Sequence, residues 1–525
     1  MEIGIRIVGA LQILISWLTS PIYYLLSLNR VKQIPQIRNP ILLESASSLA
    51  RKIRNQELTS EQVVRAFIIR CKEVNPLINA IVEERFTAAL GEAHDVDVFI
   101  LSGVKTTEEM ERDTPFLGVP FTVKESNALK GMSQAVGCLP RAGMKADRDG
   151  VAVENLRKAG GIPILVSNTP ELCLCWESNN LITGRSNNPY DLSRTPGGSS
   201  GGEAALISSG ASVFGVASDI AGSIRIPSMF TGLFGHKPTP GFVSLNGHVP
   251  NSGDNFEKFL TVGPIVRYAE DLKPIMKIMA GDKAKDLRLD EEVDISKVRV
   301  VFKDEMSKSK VMVPVAPEIN KAMHKAIDHL SLTRKCTVQD KNAELEEILN
   351  DTVEISCSVF FQMEGIPDLM SMSANDDPKN KKNPYVELFK SIFGLSEYSL
   401  AGILFTILHK INCLIPQSKT AYYNSRNEEL KAKLIDILGE DGVFFYPTHP
   451  IPAYHHNQFT MKTSGVAYSM IFNTLGFPST HVPMGLNKDG LPIGFQVIGA
   501  PKQDRLCLAM AKELESAFGG WVAPS

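Results

Sequence analysis

The stretch from Thr195 to Ser228, TPGGSSGGEAALISSGASVFGVASDIAGSIRIPS, holds two glycine-flanked serine clusters and no histidine between them. A serine attacks a carbonyl when a base takes its proton and preorganised donors receive the oxyanion. The first cluster, Gly197-Gly198-Ser199-Ser200-Gly201, fits the G-x-S-x-G elbow of histidine-dependent hydrolases, a pattern that any glycine-rich turn can also produce. That elbow needs an acid and a histidine downstream; His455 and His456 are available, but nothing ties them to the serines. The second cluster, DIAGSIRIP, puts Ser223 between a small-residue turn and an apolar run, where backbone N–H groups can converge on one point. If Ser223 is the nucleophile, a neutral lysine can be its base. Deprotonating an ordinary lysine at pH 7 costs roughly 4–5 kcal/mol. Burial lowers that cost because desolvation disfavours the ammonium. Lys124, at the end of the apolar segment GVPFTVKES, is so placed, and Ser199 is available to relay the proton.

The frame for these groups reads as alternating strand and helix. Gly118–Ser126, Gly161–Asn168, Val298–Phe302, Gly442–Pro447 and Gly494–Gly499 have the β-branched, apolar look of buried strands. Helical patterns cover Val151–Ala159, Glu203–Ser209, Ile319–Leu330, Ala421–Leu438 and Gln503–Phe518. A further helix opens at Thr59, where Gln62 completes a capping box, and is expected to stop at Asn75-Pro76. The alternation predicts a layered α/β/α domain. The polar stretches Asp282–Lys297 and Ser371–Asn383 read as surface loops or insertions.

At 525 residues the chain is long enough for a very large core or several domains, and its net charge of −3 gives no sign of nucleic acid as a partner. The eight cysteines are scattered; Cys173 and Cys175 have neither a zinc nor a dithiol spacing, and the set reads as mostly buried thiols. From Ile7 to Leu28 there is no charge across 22 residues. That is long enough to cross a bilayer core of ~30 Å, with Trp17, Tyr23 and Tyr24 as interfacial aromatics. A retained membrane anchor is the favoured reading; a signal peptide and a core helix are the alternatives. The segment Leu388–Pro416 is also unusually apolar, but its uncharged core, Tyr398–Leu408, is too short to span. It is either a buried core helix or a membrane-facing cap.

The sequence PGGSSGGEAALISSGASVFGVASDIAGSIRIP, with LGVPFTVKE, SNNPYDL and LGFPSTHVPMGLNKDGLPIGFQVIGAP, resembles the amidase signature family of serine hydrolases across roughly Leu43 to Trp521. With the N-terminal apolar segment, FGHKPTPG and the ending FGGWVAP, it is most similar to the membrane-bound fatty-acid amide hydrolase branch. The resemblance implies the α/β amidase signature fold, a mixed β-sheet core sandwiched by α-helices, and a Ser–cis-Ser–Lys triad. Ser223 becomes the acylated nucleophile, Ser199 the bridging serine after a cis peptide, and Lys124 the base that later returns the proton. The separation of 24 residues between Ser199 and Ser223 agrees with the family offset and selects Ser199 over Ser200. The implied oxyanion donors are the N–H groups of Ile220, Ala221, Gly222 and Ser223, with Ser200 and Ser218 as supporting hydroxyls. Asp219 and Arg225 are expected to hold the loop. The family usually has Gly-Gly before the nucleophile where this chain has Ala221-Gly222; a positive φ at Ala221 would strain it by ~1 kcal/mol or more.

The expected organisation is an anchor helix over residues 1–29 and a catalytic domain over 30–525. The implied activity is hydrolysis of lipid amides such as primary amides and ethanolamides of fatty acids, at a membrane, with no metal or cofactor. A homodimer is among the expectations. A general amidase or esterase, or a silent amidotransferase-like relative, is the alternative; the apolar N-terminal segment speaks against an amidotransferase.

Overall fold

In the computed structural model the chain is described except for residues 1, 28–32, 252–253, 307–311, 340–344, 347–348, 362–369, 371–381, 412–413 and 525. The apolar segments ending at Lys124 and Ser167 become parallel neighbours in one large sheet. In chain order the strands are β1 (Ile81–Glu84), β2 (Pro120–Lys124), β3 (Ile162–Ser167), β4 (Asn179–Asn180), β5 (Gly184–Arg185), β6 (Phe214–Asp219) and β7 (Phe234–Lys237). They continue as β8 (Thr261–Val266), β9 (Arg299–Phe302), β10 (Thr337–Gln339), β11 (Gly442–Tyr446), β12 (Ser479–Leu486) and β13 (Pro492–Gly499). Eleven of them form one sheet in the order β1-β3-β2-β6-β8-β7-β12-β13-β11-β9-β10, while β4 and β5 pair apart. β2 runs parallel to β3 and to β6, and β9 parallel to β10 and β11; the middle of the sheet is antiparallel. The sheet is therefore mixed, as the resemblance to the amidase signature family implies. Strands buried on both faces read as continuous apolar runs, and β2, β3, β6, β8 and β13 are buried at every position.

The capping box at Thr59 and Gln62 forms, but the helix runs from Ser60 to Ile78, through Pro76. Proline falls in the last turn, so only one terminal hydrogen bond is lost. Asn79 closes the helix in the left-handed conformation, and the Asn75 side chain accepts from the N–H groups of Ala80 and Ile81. Residues 281–287 and 295–297 form short 3₁₀ turns in the first polar stretch; most of Ser371–Asn383 lies outside the described residues.

The N-terminal apolar segment forms helix α1 (Ile3–Ser27), with a mean hydropathy of 1.5 over its best window. Its small and polar positions, Gly9, Gln12, Ser16 and Thr19, turn toward the body together with Ile5. Thr19 contacts Met461, and the Lys462 ammonium donates to Ser16 Oγ at 2.8 Å. At the other end Lys419 donates to the Glu2 carboxylate at 2.6 Å. The outward face carries exposed Ile7, Leu11, Leu14, Leu18, Ile22 and Leu25. The second apolar segment is a helical pair, Pro384–Ile392 and Leu400–Ile411. Its inner residues Tyr398 and Ile403 pack with Leu172, while Phe389, Ile392, Phe393 and Leu395 are exposed. The segment is thus neither a fully buried core helix nor an isolated surface one.

Candidate active site

Because β2 and β6 are parallel, their carboxyl ends lie at the same edge of the sheet. This brings Lys124, the last residue of β2, beside Ser218 near the end of β6. The Lys124 side chain is fully buried; its Nζ lies 2.6 Å from Ser199 Oγ and 3.1 Å from Ser218 Oγ. Burial holds its pKa below the ordinary lysine value, against the partial pull of Cys173, Asp219 and Glu203. Lys237 is a second fully buried lysine, but its ammonium donates to the Pro238 carbonyl at 3.0 Å and meets none of these serines.

Ser199 sits in the turn before the helix Gly201–Ser208, and the Gly198–Ser199 peptide is cis. No strand leads into this turn, so the strand-turn-helix context of the G-x-S-x-G elbow is missing. His455 contacts Ser193, and His456 is held by Glu177 and the Leu192 carbonyl; neither reaches Ser199, Ser200 or Ser223. Ser200 Oγ donates to the Ser218 carbonyl at 3.4 Å, and Ser200 N–H to the Ser223 carbonyl at 3.3 Å. The two serine clusters are thereby stitched together.

Ser223 stands just before the helix Arg225–Thr231 and faces the same cavity as Ser199 and Ser218. Its hydroxyl makes no hydrogen bond among the described residues, so the Ser199–Ser223 link of a closed relay is not formed here. Catalytic hydrogen bonds of this kind are commonly loose without substrate. The cavity walls include Leu172, Leu174, Ile220, Phe256, Leu260 and Phe360, and its polar lining is Ser199, Ser218, Ser223 and His248.

The loop before Ser223 is held by Asp219, which accepts from Gly222 N–H at 2.7 Å and Ile224 N–H at 3.0 Å. This corrects the expected donor set: the Gly222 N–H is already occupied by a carboxylate. The N–H groups of Ile220, Ala221 and Ser223 have no backbone acceptor among the described residues. Asp219 is paired with Arg225, both fully buried, and the Arg225 charge holds the Asp219 carboxyl far below its usual range against the effect of burial. Arg225 also donates to Asn473 Oδ1 at 2.6 Å and Gln496 Oε1 at 2.9 Å. Asp219 and Arg225 are the loop's structural partners, as expected. Ala221 is not in the left-handed region, and its carbonyl accepts from Trp176 Nε1 at 2.9 Å. The positive φ falls on Gly222, at 95°. The alanine therefore carries no backbone strain.

Three neighbours were not legible from motifs alone. His248 bridges Ser218 and the Pro250 carbonyl. Cys173 borders the cavity although the C-x-C spacing carries no recognised chemistry, while Cys175 is a buried thiol as read. Glu203, on the helix after Ser200, is fully buried and hydrogen-bonded by Thr122 and Ser167, which flank Lys124 along β2 and across β3.

A sequence model of the Amidase family matches residues 62–508. Fatty-acid amide hydrolase 2-A of Danio rerio is 41% identical over 500 residues, covering 94% of this chain and 92% of its own. Fatty-acid amide hydrolase 2 of Homo sapiens is 39% identical, with 93% and 91% covered. An amidase of Gibberella moniliformis is 28% identical, with 90% and 87% covered. Among solved structures, one of a fatty acid amide hydrolase superposes with a TM-score of 0.69 at 22% identity over 93% of this chain and 86% of that one, and shares the fold. A family match over most of the chain, a shared fold and relatives of this identity make it an amide hydrolase. The chain belongs to the amidase signature family.

Proposed function

We propose that this chain hydrolyses fatty-acid amides at a membrane through a Lys124–Ser199–Ser223 relay. The observation that carries the proposal is the buried Lys124 Nζ, 2.6 Å from Ser199 Oγ, which lines a largely apolar cavity together with Ser223. Neutral Lys124 takes the Ser199 proton while Ser199 takes that of Ser223, and Ser223 Oγ forms a bond to the amide carbonyl carbon. The oxyanion is received by the free N–H groups around Ile220, Ala221 and Ser223. The lysine ammonium then returns its proton through Ser199 to the departing amine, since an amide anion leaves badly. Water hydrolyses the acyl-enzyme and frees the fatty acid. Ser200 and Ser218 support the arrangement by holding the two serine clusters and the lysine.

The names of the relatives above supply the substrate class, and the apolar cavity walls suit an acyl chain. Each buried methylene contributes about 0.8 kcal/mol at most. In this reading residues 1–29 form the attachment element and 30–525 the catalytic body. The outward apolar face of α1 lies in the bilayer interface, as in monotopic proteins, because its inward face is already engaged with the body at Glu2, Ser16 and Thr19. The exposed helical pair Pro384–Ile411 gives a second apolar contact next to the cavity wall at Leu172.

The test is a chain-length series of amides from acetyl to oleoyl on one amine, with Ser223→Ala as the control. The expected result is kcat/KM rising with chain length and turnover falling by ~10³-fold or more in Ser223→Ala. Flat kcat/KM along the series sinks the lipid reading. Normal turnover in Ser223→Ala sinks the nucleophile assignment.

A further inference from the structure

The Ser218–His248 contact has a direction, and that direction reaches the base. His248 is fully buried beside the cavity, with Nδ1 2.9 Å from the Pro250 carbonyl oxygen and Nε2 2.9 Å from Ser218 Oγ. A carbonyl oxygen only accepts, so Nδ1 carries the proton. Burial pushes the imidazole down to about 3, so the ring is neutral at any working pH and Nε2 is a bare acceptor. The Ser218 O–H must then point at Nε2.

This fixes what Ser218 offers Lys124. With its proton committed to His248, the Ser218 oxygen presents lone pairs to Lys124 Nζ at 3.1 Å, and a lysine N–H donates to it. A neutral lysine amine has two N–H bonds and one lone pair; with an N–H turned to Ser218, the lone pair is left to face the other hydroxyl, Ser199 Oγ at 2.6 Å. That is the direction in which Ser199 must hand over its proton.

We propose that His248 is a positioning residue: through its Nδ1-protonated tautomer and the Ser218 hydroxyl, it aims the lone pair of neutral Lys124 at the Ser199 hydroxyl. The inference rests on the Lys124–Ser199–Ser223 reading. Without an acceptor at Nε2, the Ser218 proton is free to turn to the lysine lone pair, where it competes with Ser199. The other ionisable groups acting on Lys124 are Cys173, Asp219 and Glu203. None of them receives the Ser218 proton; Ser126 Oγ is the other group within reach of it, at 3.4 Å against 2.9 Å for His248 Nε2.

The experiment compares His248→Leu, His248→Gln, Ser218→Ala and the double variant His248→Leu/Ser218→Ala in the full chain, with Lys124→Ala as reference. Expected for His248→Leu is a fall in kcat of about 10²-fold, the usual size of an acid–base contribution, with KM within twofold and an unchanged thermal midpoint. His248→Gln, whose side-chain carbonyl can accept from Ser218, recovers most of that loss. Adding Ser218→Ala to His248→Leu also recovers activity several-fold, because the competing proton is gone; a merely structural histidine predicts that the double variant is no better. A kcat for His248→Leu within twofold of wild type, or a double variant no more active than His248→Leu, overturns the inference. If His248→Leu does not fold, selective ¹⁵N-histidine NMR on the wild type decides: a protonated Nδ1 with a bare Nε2 supports the assignment, and a protonated Nε2 overturns it. An active Lys124→Ala enzyme would instead remove the relay itself.

Discussion

Glu203→Gln offers the most quantitative test of the electrostatics around Lys124. The Glu203 carboxyl is fully buried, and no cation forms an ion pair with it among the described residues. Burial raises its pKa from 4.5 to about 7, against the hydrogen bonds from Ser167 and Thr122 and the pull of Lys124. An acid whose folded pKa is raised binds its proton more tightly in the folded state. Stability from this group is then full below pH 4.5, falls as pH rises through the window to about 7, and levels off above it. At 1.36 kcal/mol per pKa unit, the rise from 4.5 to about 7 amounts to about 3 kcal/mol lost across that window. Glutamine keeps the shape but cannot ionise; its amide nitrogen only donates, so the Thr122 or Ser167 hydroxyl facing it must turn to accept. The assay is denaturant unfolding of wild type and Glu203→Gln at half-unit steps from pH 4.5 to 8. Other buried acids titrate alike in both proteins, so the difference between the curves isolates Glu203. The variant should gain on wild type by up to about 3 kcal/mol between pH 4.5 and 7. The anion also favours the Lys124 ammonium, so the rising limb of the rate profile should move to lower pH in the variant. Parallel stability curves would refute the reasoning.

Lys124→Ala should cost at least 10²-fold in kcat and flatten the rise of rate with pH, read by a pH-rate profile; a persisting rise would point to another base. Gly222→Ala should lower kcat and cost roughly 1–3 kcal/mol, because at φ +95° its Cβ would lie 2.7 Å from Ile226 Cδ1 and 2.8 Å from Ser469 Cβ; Ala221→Gly should stay within about 1 kcal/mol of wild type by thermal unfolding. Deleting residues 2–29 should leave a folded, active enzyme with weaker binding to lipid vesicles, measured by co-sedimentation. Lost activity after that deletion would mean that α1 supports the body as well as attaching it.

The candidate site was legible where it lies in contiguous sequence. Lys124 ends an apolar run, Ser199 and Ser223 sit in glycine-rich turns, and these features survive without knowledge of the fold. What escaped the reading depends on pairings between distant strands. β6, β7 and β8 hold Gly215, Gly235 and Gly263 in their interiors, so their β pattern is diluted although they form the middle of the sheet. His248 has no motif; it acquires meaning only because β2 and β6 are parallel and bring Ser218 beside Lys124. The occupied N–H of Gly222 was equally invisible, since Asp219 reaches it only once the loop has closed. The polar stripe of α1 was present as Gln12, Ser16 and Thr19, but a run without charges reads as membrane-crossing until the body that receives those residues is known.

The clamp on the nucleophile loop has a consequence for the order in which the enzyme comes into being. Lys124, Ser199 and Ser223 all lie in the first half of the chain, yet the Arg225 guanidinium that steadies the loop is fixed by Asn473 and Gln496. Gln496 in turn donates to the Pro447 and Tyr468 carbonyls. A nascent chain emerging from the ribosome therefore carries the three side chains of the proposed relay long before the residues that clamp their loop have been made. The loop around Ser223 is fully held only once β13 joins the sheet and Gln496 meets Arg225.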